Sequence, residues 1–188
     1  TFTITNDMNL GGTSSLYFAY GDSSTGKIRI AITRDLNING NTTVYGAYTS
    51  GAFTLRAGRN LTLTQGKFSG QNYSLNAQVD SIIIGTAFLF NSAIASDYFK
   101  ANRSAGNTIV TSSTFSVLNS GTGYGQGIAL VDSGAANLSF ITSQFTINAG
   151  KFCGILSGSG TLTFNCSGAI DMNGGIFRGN ENTTYVNP

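Results

Sequence analysis

Asp7 and Asp35 stand in matching strings, TNDMNL and TRDLNI, twenty-eight residues apart. A repeat that brought the strings into register would stack the two carboxylates. Two acids held that close favour a cation such as Ca²⁺ or a shifted pKa. At a strand corner the same side chains instead cap backbone N–H groups. Arg34, next in line, carries the charge that would neutralise them. The remaining acids are spread through the chain, which holds eight Asp and Glu and no His. Lack of His removes His-dependent nucleophilic catalysis and most zinc sites. Coiled β enzymes that cut polysaccharides need carboxylates gathered on one face. No catalytic set and no cofactor is therefore expected, and the metal candidates reduce to Asp7 and Asp35.

Tyrosine offers a different chemistry. Tyr17, Tyr20, Tyr45 and Tyr48 cluster early, and Tyr124 sits alone in the Gly-rich string SGTGYGQG, Ser120–Gly127. An exposed tyrosine presents an apolar ring face and a polar hydroxyl, a platform for a sugar. The plain alternative is that these are ordinary strand residues. Cys153 and Cys166 read equally well as a pair or as two buried thiols.

The totals narrow the class. At 188 residues the chain is one domain with room for a core. Hydrophobic residues make up 40%, which excludes disorder, yet only 10% are charged, so Gly, Ser, Thr and Asn supply the polarity. That balance suits an extracellular β protein. The ten Lys and Arg form no stripe with interleaved aromatics, so nucleic acid is not an expected partner. No run of eighteen apolar residues is present to span a membrane. The chain opens at Thr1 rather than Met, which fits a removed leader or a piece of a longer chain.

Positioning all these residues falls to a repeat. An apolar-x-apolar step recurs as Met8/Leu10, Leu36/Ile38, Leu61/Leu63, Ile82/Ile84, Ile109, Leu138/Phe140 and Leu162/Phe164, at intervals of 28, 25, 21, 27, 29 and 24 residues. An uneven period of this size with no helical pattern inside it predicts an all-β, right-handed parallel β-helix of about seven turns. Each turn would carry three strands. Corner caps are expected at Asp7, Asp35, Asn60, Ser81, Thr108, Asn137 and Thr161, and an Asn ladder at Asn91, Asn119, Asn148 and Asn173.

In this register Ile83 and Val110 occupy outward slots on consecutive turns, where other turns place polar residues. Two accounts fit an apolar pair there: cover by the Ser92–Gly106 loop with its Tyr98 and Phe99, or an interface with a subunit or partner. The open ends of a coil invite pairing as well, so cover by another chain or by more of this one is expected at one end at least.

The strings AGRNLTLTQG (Ala57–Gly66), SQFTINAG (Ser143–Gly150) and TLTFNCSGAIDMNGG (Thr161–Gly175) resemble filamentous-haemagglutinin and autotransporter-passenger adhesins of bacterial surfaces. DLNINGNTTV (Asp35–Val44) resembles the β-helices of phage tail fibres and tailspikes. The resemblance implies a secreted β-helix at a cell or virion surface that works through its faces. It brings no catalytic residues with it. The expected function is a non-catalytic adhesin or receptor-binding β-helix for a cell-surface glycan or protein. The alternatives are a self-associating fibre segment and a polysaccharide-degrading β-helix.

Overall fold

The computed structural model describes residues 1–19, 27–47, 50–71, 76–102, 106–124, 126–131 and 135–180. Its strands join in a single sheet in which the paired strands run parallel, coiled into a β-solenoid of about six turns. The expected β-helix is thus correct, and the seven turns expected are corrected to about six. The difference is one of counting, since each face carries seven levels but only six repeats separate them.

Three apolar columns line the inside. On the first face Met8, Leu36, Leu61, Phe88, Phe115, Phe145 and Ile170 are successive partners in register. On the second the series is Leu16, Val44, Phe68, Phe99, Ile128, Phe152 and Phe177. The third runs Phe2, Ile30, Leu55, Ile82, Val110, Phe140 and Phe164. Strand pleating sends alternate side chains inward, so these residues are buried in the middle levels while their neighbours on the first and third faces are more exposed; on the second face Ala129, Lys151 and Cys153 beside them are buried as well.

The core changes character along the axis. Early levels pack mainly Leu, Ile and Val around a few rings such as Phe18, Phe53 and Phe68, whereas later levels are dominated by phenylalanine. Phe88 and Phe115 lie 4.1 Å apart at 11°, and Phe152 and Phe177 lie 5.1 Å apart at 8°. Burying each such ring stabilises the fold by roughly 1.5–3 kcal/mol before packing is counted.

Corners are built from polar side chains and glycine. The backbone N–H of Asp35 donates to Asp7 Oδ1 at 3.2 Å, and that of Asn60 to Asp35 Oδ1 at 3.1 Å. At a second corner Thr161 N donates to Asn137 Oδ1 at 3.1 Å, and Asn137 Nδ2 to Asn107 Oδ1 at 3.2 Å. Of the expected corner ladder, Asp7, Asp35 and Asn60 share one corner and Asn137 and Thr161 another, whereas Ser81 and Thr108 are corrected: Ser81 faces outward within a strand of the third face and Thr108 is buried within its strand. Of the expected Asn ladder two pairs are present, Asn91 opposite Asn119 across a bulge, and Asn173 with its Nδ2 donating to Asn148 Oδ1 at 2.9 Å. Gly66 takes φ +111° where the chain rounds a corner, and a Cβ there would press on the carbonyls of Gly40 and Thr42.

The expected register slips twice, once between faces after Leu61 and once by a single residue at Ile109, whose partner is Ser81 and not Ile82. Leu61 pairs with Phe88, not with the Ile82 level; Ile82 pairs with Leu55 on the third face. The short interval of 21 residues between Leu61 and Ile82 is the mark of that jump from one face to the next.

Val110 is accordingly corrected from outward to inward. It is fully buried beneath Ile82, while Ile109 points out. The supposed covering loop is corrected as well. Tyr98–Asn102 is a strand of the second face, with Phe99 in the core, and Ile83 stays 38% exposed.

Candidate functional site

The third face turns a flat outer surface to solvent, and its chemistry changes along the axis. One outward column reads Ala31, Arg56, Ile83, Thr111, Ile141 and Asn165. Beside it runs Arg29, Thr54, Ser81, Ile109, Ser139 and Thr163. From the Ile83 level onward neither column holds a charge. Ile83, Ile109 and Ile141 are 38, 45 and 42% exposed, set among hydroxyl side chains.

Two shallow hollows mark this part of the face. The first, of about 410 Å³, lies along the Asn107–Asn137–Thr161 corner and reaches Ile109 and Ser139. The second, of about 390 Å³, extends from Ile83 and Gly85 through Thr111 and Ile141 to Asn165 and Ser167. Among the described residues, none that lines either hollow is acidic or basic. Ser112 lines the second hollow, and its Oγ, screened from solvent, has no hydrogen-bond partner.

Of the interface pair expected from sequence, Ile83 thus belongs to this surface and Val110 does not. Ile109 and Ile141 replace it. The signal for them was available: each sits next to an inward residue, Val110 or Phe140, so each had to face out once parity was set.

The metal candidates are arranged otherwise. Asp7 Oδ1 lies 3.3 Å from Arg34 Nε and 3.7 Å from Arg59 Nη2. Asp35 receives both Arg59 nitrogens, Nε at 3.2 Å, together with the Asn60 backbone and side-chain donors. Burial acts to raise the Asp35 pKa, but the hydrogen bonds from Arg59 and Asn60 and the Arg59 charge outweigh it, so the carboxyl lies below its ordinary value. Two carboxylates met by two guanidinium groups make a charge-balanced corner. Among the described residues no group of three His, Cys, Asp or Glu comes together.

The tyrosines divide. Tyr17 and Tyr45 stack with ring centroids 4.8 Å apart at 15°, so each ring gives a face to the other. Tyr124 is 67% exposed on its loop. That loop is pinned from beneath by Lys151, a buried residue whose Nζ donates to the Gly123 carbonyl at 2.6 Å. Tyr20 and Tyr48 lie outside the described residues. Cys153 and Cys166 are not joined in a disulfide, the first being buried and the second partly so.

Among the described residues two buried charged side chains escaped the sequence reading, Lys151 and Asp97. Asp97 Oδ2 accepts from Ser92 Oγ at 2.6 Å and from a backbone N–H on the preceding level. Compared with known proteins, the chain matches no family model, no curated protein and no solved structure.

Proposed function

We propose that this chain is a non-catalytic, extracellular recognition solenoid that binds a cell-surface glycan or protein through the uncharged part of its third face. The observation that carries the reading is the run of exposed isoleucines within a charge-free hydroxyl surface, with two hollows along it. An exposed apolar patch rimmed by polar residues is the usual mark of an interaction site. The pairing of Asp7 and Asp35 with arginines supports a structural rather than a catalytic use of these acids. The test is binding of the purified chain to cell surfaces and to an array of glycans, with Ile109→Arg as the probe of the face. Loss of binding in that variant, with the circular dichroism unchanged, supports the proposal; unaltered binding removes the third face from it.

A second reading rests on a separate observation. Phe2, Ile170 and Met172, members of the inner columns at the first and last levels, are 60, 53 and 54% exposed. Ends of that kind suit a structural segment that stacks on further turns or on another copy. A concentration-dependent mass in solution, abolished by Met172→Lys, favours this reading over the first.

A further inference from the structure

We infer that the hollow between Ile83 and Ser167 takes a neutral, unbranched glycan chain lying along the solenoid axis. This rests on the recognition reading and names its ligand class and its direction.

The lining sets the charge. A sulfated, sialylated or uronic-acid glycan would bring anions into a hollow that offers no cation, and an ion stripped of water without a partner is strongly disfavoured. A neutral sugar meets no such penalty. The groups present match its two aspects. Ile83 and Ile141 offer methyl surface to the C–H face of a ring, while Ser113, Ser143 and Ser167 offer hydroxyls at the rim.

The direction follows from register. Ile83, Thr111, Ile141 and Asn165 are successive partners, one per level. Levels of a parallel sheet are about 4.8 Å apart, close to the length of one sugar ring in an extended chain. A glycan laid along the axis would therefore bring each ring to the next level of the same face. Laid across the strands, it would meet a different set of groups at every ring.

The experiment uses the whole chain against immobilised linear neutral glycans, among them glucans, mannans and galactans, beside sialylated, sulfated and uronic-acid glycans. Neutral chains are expected to bind, with affinity unchanged between roughly 0.01 and 1 M salt, where the screening length falls from about 30 Å to about 3 Å. Ile141→Arg is expected to weaken binding by about tenfold or more, and Ser143→Tyr, which fills the hollow without charge, to do the same. Asn9→Arg on the first face is expected to leave it unchanged. Should Ile141→Arg fail to fold, Ser143→Tyr decides alone. Binding confined to acidic glycans, or unaffected by both hollow variants, overturns the inference. If no glycan binds, the inference fails, and the chain's binding to cells then decides whether the broader recognition reading stands.

Discussion

The backbone N–H of Gly66 donates to Asp97 Oδ2 at 2.8 Å, across thirty-one positions of the chain. Asp97 is 1% exposed, and its carboxylate ties the loop after Asn91 to a corner one level away. Replacing Asp97 with Ala leaves the Gly66 donor and the Ser92 hydroxyl without this partner. We expect a loss of about 2–4 kcal/mol in urea unfolding, and a smaller loss for Asp97→Asn, which keeps one acceptor. Equal, negligible effects would show that the bond is not part of the fold's support.

Register makes a sharper prediction at neighbouring residues. Val110 lies in the inner column and Ile109 on the outer surface. Val110→Asp buries an unpaired charge and is expected to cost about 4 kcal/mol or more, enough to prevent folding. Ile109→Asp is expected to change stability by no more than about 0.5 kcal/mol. The reverse order would mean that the third face is shifted by one residue.

The aromatic column provides a third test. Phe115 stacks on Phe88 at 4.1 Å and meets Phe140 edge-on at 4.8 Å. Phe115→Ala is expected to cost about 3–5 kcal/mol through lost burial and the cavity left behind. A double-mutant cycle with Phe88→Leu should show a coupling of about 0.5–1.5 kcal/mol. Strict additivity would deny the stacked pair any energy of its own.

Acid sensitivity should trace in part to Asp35. Its folded-state pKa is below the ordinary value of about 3.9, because hydrogen bonds and charge from Arg59 and Asn60 outweigh the effect of burial. A depressed carboxylate contributes stability above its unfolded pKa and loses it as pH falls through the folded one. The wild type should therefore lose more stability than Asp35→Asn between about pH 5 and pH 2. At neutral pH the half-exposed Arg59 makes the pair worth less than about 1 kcal/mol. Identical acid limbs for the two proteins would show that Asp35 is not coupled to folding.

The solenoid and its period were legible because a coil repeats its inward step every turn, and Met8, Leu36 and Leu61 do fall in one column. The face on which a given step lies was not legible. All three faces use the same apolar-x-apolar step, and the corners between them use the same Asp, Asn and Thr chemistry. A local match at Ile82/Ile84 therefore looked like the next member of the Leu61 column when it begins the level on another face. A separate one-residue slip hid the parity of Ile109 and Val110, two adjacent apolar residues that carry no inside–outside signal by themselves. Ile83 was placed outward correctly, since its own strand alternates. Asp97 and Lys151 were beyond reach, because their partners come from other levels and no short spacing announces them.

The shift from aliphatic to aromatic filling along the axis has a thermal consequence. Each level touches only those above and below it, so cooperativity passes hand to hand rather than through a shared centre. A substitution that weakened one level would therefore divide the molecule into two blocks that melt at separate temperatures, the phenylalanine-rich block last.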